Sequence, residues 1–108
     1  MTLEVIPIDQ ENARRKEPMR LEVYDIDLFP NERFEVTFDW NEFMDRWIVT
    51  FTHLGTDTRF FKGPADLYQD YAYDDIVAFM FIDPARQETM VTPRNLGDTV
   101  WLTILEVS

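Results

Sequence analysis

The sequence predicts an all-β fold, a small antiparallel β-sandwich or barrel of about six to seven strands with one irregular Tyr-rich loop. Three features carry that prediction. Apolar and polar residues alternate with a period of two through the middle of the chain, turn residues recur about every 8–12 positions, and no long amphipathic helical pattern interrupts them. With 108 residues, 45% apolar and 15% aromatic, the chain holds enough for one packed domain and too little for two.

Thr2 to Ile8 alternate loosely and predict a short strand. Asp9 to Pro18 are almost entirely polar and read as a solvated connector, a mobile arm or a docking segment, carrying Arg14, Arg15 and Lys16. The expected division is therefore an N-terminal strand and polar arm over residues 1–18 and a β-domain over 19–108. From Met19 the pattern becomes β, with Leu21 and Val23 alternating against Glu22 and Tyr24, and "DLFPNE" supplies Pro30 and Asn31 as turn residues.

"RFEVTFDW" is the clearest strand. Phe34, Val36, Phe38 and Trp40 face one way, and Arg33, Glu35, Thr37 and Asp39 the other. The same period resumes with Trp47, Val49 and Phe51. Two matched runs joined by "NEFMD" predict a hairpin with Asn41 and Asp45 at its corners, since Asn and Asp bond their own backbone and tolerate unusual dihedrals. Trp40 and Trp47 then meet at its closed end.

"LGTDT" is a further turn and "RFFK" a short strand. "GPADLYQDYAYDD", Gly63 to Asp75, breaks the pattern and reads as an irregular excursion with one helical turn. "IVAFMFI", Ile76 to Ile82, is apolar throughout and predicts a strand covered on both faces. Thr89 to Thr92 allow a brief strand between the turns "DPARQE" and "PRNLGD", and "TVWLTILEV" closes the chain.

Charge and composition exclude several classes. Twenty-one acids against ten bases give a net charge of −11, which repels phosphate backbones, so specific nucleic acid binding is not expected. Eight arginines to two lysines on an acidic chain also fit life in high salt. No cysteine is present, which removes disulfides and thiolate sites. No stretch approaches the ~18 apolar residues of a membrane span and no signal peptide is evident, so no membrane partner is expected.

The catalytic candidates are weak. Asp39, Glu42 and Asp45 fall within seven residues, but a glycosidase needs one carboxyl kept protonated by burial, and these lie on a polar strand face and in a turn. His53 is the only histidine and Ser108 the only serine, so neither a zinc site nor a serine nucleophile is expected. Asp70, Asp74 and Asp75 lack the alternating calcium-loop pattern. No catalytic residue, cofactor or metal is therefore assigned. Phe60, Phe61, Tyr68, Tyr71 and Tyr73 place five aromatics in fourteen residues, which makes them a contact surface or a cap on the open side of the sandwich.

The order of these segments resembles the small baseplate plug proteins of contractile-tailed phages, a family of the cyanophage plug type. The resemblance rests on "VTFDWNEFMDRWIVTF", "LGTD", "ADLYQDYAY", "VAFMFID" and "TPRNLGDTVWLTIL", and runs from Met19 to Val107. It implies a non-catalytic structural part of a tail baseplate, joining the tail tube end to the hub and spike, in several copies around the tail axis. It implies a virion location after assembly in the host cytoplasm. Arg14, Arg15 and Lys16 would then meet an acidic partner protein, while Asp66, Asp70, Asp74 and Asp75 would lie nearer the central channel or solvent. A free-standing module for a carbohydrate or protein partner, using the Tyr segment, is the alternative, and an acidic DNA mimic a third reading from charge alone.

Overall fold

Antiparallel pairing in two four-stranded sheets organises the chain, and the aromatic side chains between the sheets form the core. The computed structural model describes residues 3–24, 31–73 and 77–106. Along them run β1 (Leu3–Ile6), α1 (Gln10–Arg14), β2 (Met19–Val23), β3 (Phe34–Asn41), β4 (Arg46–His53), β5 (Thr58–Pro64), β6 (Tyr71–Tyr73), β7 (Val77–Ile82) and β8 (Trp101–Glu106). The first sheet has the order β1-β8-β7-β6 and the second β2-β3-β4-β5. The fold is thus an all-β sandwich, with eight strands among the described residues where about six to seven were expected.

The hairpin is set by period-two alternation. β3 pairs with β4 from Phe34↔His53 to Asn41↔Arg46, which puts Phe34, Val36 and Phe38 beside His53, Phe51 and Val49 on the buried face. Asn41 Oδ1 accepts from the Met44 amide at 2.9 Å, and Asp45 takes a left-handed φ of 55° that Asp tolerates better than most residues. Trp40 sits opposite Trp47 with ring centroids 5.4 Å apart, edge to face.

Aromatic contacts join the sheets. Phe34 meets Phe79 edge-on at 5.3 Å, Phe38 meets Phe81 at 5.9 Å, and Phe51 stacks on both Phe79 (4.8 Å) and Tyr71 (5.0 Å). Such pairs add about 0.5–1.5 kcal/mol each beyond the area they bury. The two outward faces differ. The second sheet presents Arg20, Glu22, Glu35, Thr37 and Asp39, laced by the Arg20–Glu35 ion pair at 2.6 Å. On the far side of the first sheet Ala78, Thr103 and Leu105 are buried and Met80 and Ile82 half-buried, with Leu3, Val5 and Trp101 exposed around them.

Several expectations are corrected. Asp9–Pro18 is not a wholly solvated connector: Asp9 Oδ1 caps α1 by accepting from the Glu11 and Asn12 amides, and Ala13 is fully buried in the core. Gly97 anchors this segment, since its carbonyl accepts from Gln10 Nε2 at 2.9 Å; its φ of +85° and the Ile8 carbonyl 3.0 Å from an added Cβ make any larger residue strained there. β1 joins the sheet beside β8, so residues before 19 complete the sandwich.

The Tyr segment holds no helix among its described residues. It ends in β6, paired with β7 through Tyr71↔Phe79, and Gly63 and Pro64 extend β5 instead of ending it. Pro64 is tolerated because β5 is an edge strand. Thr89–Thr92 is irregular, held where the Asn95 side chain accepts from the Thr92 amide at 2.7 Å and donates to the Met90 carbonyl at 2.9 Å. The turn expected at Pro30 and the acids Asp74 and Asp75 lie outside the described residues, as do Thr2, Ile76, Val107 and Ser108.

Trp47 is fully buried, so Trp47→Ala should destabilise the fold by about 3–5 kcal/mol, with Trp40→Ala, half-buried, costing less and Asp45→Ala least. Urea denaturation followed by circular dichroism measures this ranking, and a harmless Trp47→Ala would overturn the packing described here.

Candidate functional site

The carboxylates that invite an enzymatic reading lie at the surface. Asp39, Glu42 and Asp45 are all exposed, so none has the apolar enclosure of a carboxyl acid catalyst. His53 is buried between Phe34 and Tyr73, stacked on Tyr73 at 4.3 Å. Its Nδ1 lies 2.8 Å from Thr56 Oγ1 and its Nε2 contacts the Glu32 carboxylate, which closes that end of the sandwich. Among the described residues no group of three or more His, Asp or Glu is arranged to hold a metal ion.

The expected interface residues fall into two groups. Tyr71 is 1% exposed and offers no surface: its hydroxyl donates to the Pro64 carbonyl at 3.2 Å and accepts from the Asp66 amide at 2.7 Å. Burial holds this phenol above its ordinary pKa, with the Asp66 charge adding to the rise, so it stays protonated as a donor. Tyr73, Phe60 and Phe61 are half-buried against the core, the cap among the alternatives. Tyr68 exposes its ring, but its hydroxyl donates to the Asp83 carbonyl at 2.8 Å. Asp66 pairs with Arg46, and Asp70 is exposed.

Arg14, Arg15 and Lys16 are exposed on and just after α1. There the chain end meets the hairpin tip and the loop before β8, and a groove of about 380 Å3 opens between Arg14, Lys16, Trp40, Met90 and Arg94. The Lys16 ammonium lies 5.0 Å from the centre of the Trp40 ring, within cation–π range. An adjoining groove of about 810 Å3 shares Arg14 and Arg94 and adds Glu88 and Asp98. Beside them the hairpin tip projects Phe43, 99% exposed, and Met44. Asn41 and Asp45 fix the turn that carries Phe43, so the ring is displayed by a short, braced loop.

The family model of the cyanophage baseplate Pam3 plug gp18 matches residues 4–107. The chain belongs to this baseplate plug family. The match takes in nearly the whole sandwich, including β1 and α1, which lie ahead of the segments that carry the sequence resemblance. Membership gives the protein a structural role in a phage tail baseplate and brings it into contact with other baseplate proteins. No curated protein and no solved structure matches the chain.

In this plug-family chain, sequence reasoning named Arg14 and Lys16 as interface candidates and Trp40 as a hairpin anchor, and did not single out Phe43, Met90 or Arg94. The signal for Phe43 was present: "NEFMD" puts two apolar residues in a turn, where polar ones are the rule.

The loop that forms one wall of the groove begins at a carboxylate clamp. Asp83 is 1% exposed, and its side chain accepts from the Glu88 (2.7 Å), Gln87 (2.5 Å) and Ala85 (3.0 Å) amides. These bonds, led by Glu88, hold its carboxyl below the ordinary aspartate pKa. A lowered folded-state pKa stabilises above the unfolded value, about pH 3.9, and that stability is lost as pH falls through the folded value. Asp83→Asn should therefore melt earlier than wild type at neutral pH, and the gap should narrow below about pH 3.9. Thermal melts across that range check it; a gap independent of pH would remove the clamp from the account.

Proposed function

We propose that the protein is a non-catalytic structural component of a contractile tail baseplate, a plug that joins the tail tube end to the hub and spike, with several copies around the tail axis. The observation that carries this reading is the family match over residues 4–107. Assembly in the host cytoplasm and release within the virion go with it. The net charge of −11 favours protein partners over phosphate backbones.

The surfaces available for such contacts are the braced hairpin tip with Phe43 and Met44, and the exposed Leu3, Val5 and Trp101 of the first sheet. Arg14, Arg15 and Lys16 beside the tip supply charge for an acidic partner. Symmetric copies let one small surface be used repeatedly. The alternative, a free-standing binding module built on the Tyr segment, loses support because Tyr71 is enclosed and Tyr73 is packed against His53.

Covering a fully exposed Phe is worth about 1.5–3 kcal/mol, or roughly 10- to 150-fold in affinity. Phe43→Ser should lower incorporation into baseplates during infection by that order while leaving the melting temperature of the isolated chain unchanged. Complementation of a gene-deletion phage, with quantification of the protein in purified tails, gives the measurement; wild-type incorporation of the variant would exclude the tip as a contact. A triple variant of Asp39, Glu42 and Asp45 to the amides should assemble normally, whereas loss of a hydrolytic activity with the fold intact would favour an enzyme.

A further inference from the structure

We propose that the groove beside Trp40 receives an acidic segment of a neighbouring baseplate protein, one apolar side chain of which seats against Trp40, Met90 and Pro93. The inference rests on the baseplate reading above and names the chemistry of one contact within it.

Charge is the first argument. The chain carries twenty-one acids and ten bases, yet Lys16 and Arg94, like Arg59, Lys62 and Arg86, make no ion pair among the described residues, and Lys16 and Arg94 line one groove. Arg14 reaches Glu11 only at 4.0 Å, and Arg15 shares that carboxylate at 3.6 Å. Around the Trp40 groove stand three cations, Arg14, Lys16 and Arg94, against one carboxylate, Asp45. This is a local positive site on a molecule of net charge −11, and it is complementary to an acidic ligand.

Shape and apolar surface are the second. The indole of Trp40 is half-buried, Met90 is 41% exposed, and Pro93 completes the wall, so the groove has an apolar floor beneath charged rims. An aromatic floor with basic rims suits a peptide carrying both an apolar anchor and acids. The adjoining groove adds Glu88 and Asp98, and Glu88 is already engaged with Asn95 Nδ2 at 3.0 Å and Thr99 Oγ1 at 3.1 Å. The acidic part of the segment is thereby confined to the Trp40 side. A nucleic acid fits poorly, because its phosphates would extend past these cations onto a strongly acidic surface.

The test uses the full chain and overlapping short peptides that tile the other proteins of the same baseplate, with binding read by fluorescence anisotropy. The expected result is binding confined to acidic peptides that contain an apolar side chain, weakened by salt and by about tenfold or more in Lys16→Glu/Arg94→Glu. The conservative pair Lys16→Arg/Arg94→Lys should keep the affinity, and circular dichroism should show both variants folded.

Binding only of neutral or basic peptides, acidic binding that ignores the charge reversal, or no binding by any peptide would overturn the proposal. So would tighter binding of single-stranded DNA, or self-association of the free chain that the reversal abolishes, which would assign the groove to a second copy. Absence of the wild-type protein from purified tails would instead sink the baseplate reading; wild-type incorporation of the charge-reversed variant would sink the groove alone.

Discussion

Packing of aromatic rings between the two sheets is the constraint on which the rest of this structure depends. Phe34, Phe38 and Phe51 of the second sheet meet Phe79, Phe81 and Tyr71 of the first, and every one of these six side chains is at most 1% exposed. A core this rich in rings has few alternative packings, because edge-to-face and offset-stacked geometries fix both distance and register. Register in turn decides which face every other residue occupies, since a one-residue slip would exchange the buried and solvent faces of a strand. The paired tryptophans end this stack at one extremity and the Glu32–His53 contact at the other. Interaction surfaces are thus displayed on a rigid frame.

That division explains what could be read from the sequence. The hairpin of β3 and β4 was legible because eight-residue strands allow the period of two to repeat several times, and because Asn41 and Asp45 are suited to the corners they occupy. β7 was legible as an unbroken apolar run. β6 was not, because three residues, Tyr71–Tyr73, are too few for a period to declare itself within a polar stretch. α1 was missed for a related reason. A five-residue helix has no repeat to detect, and its one buried side chain, Ala13, is inconspicuous among charged neighbours. Asp9 as an N-cap was the available clue.

The candidate site was partly legible. The sequence named Arg14 and Lys16 as interface candidates and Trp40 as a hairpin anchor, but Arg94 and Met90 reach the same groove only through the fold, from a loop that is more than forty residues further along the chain than Trp40. That loop takes its shape from polar contacts that no alternation announces: the Asp83 carboxylate gathers three amides, and Asn95 bonds both Thr92 and Met90. Contacts between residues distant in sequence are set by topology, and here the two crossings between sheets bring the N-terminal helix, the hairpin tip and the loop before β8 to one end of the sandwich. The outcome is a molecule whose acids dominate overall while Arg14, Lys16 and Arg94 gather beside Trp40 and Met90 at one end of the sandwich.

The central claim is that this hairpin end is a docking end of a structural baseplate protein. A cryo-EM reconstruction of the intact baseplate tests it most directly, by the accessibility of Phe43 and Trp40 in the assembled particle. The account predicts that Phe43, 99% exposed in the free chain, is covered there by another protein chain, with acidic side chains of that neighbour beside Lys16 and Arg94. A reconstruction in which the tip projects into solvent or the central channel, while the polar outer face of β2 to β5 makes the contacts, would contradict it.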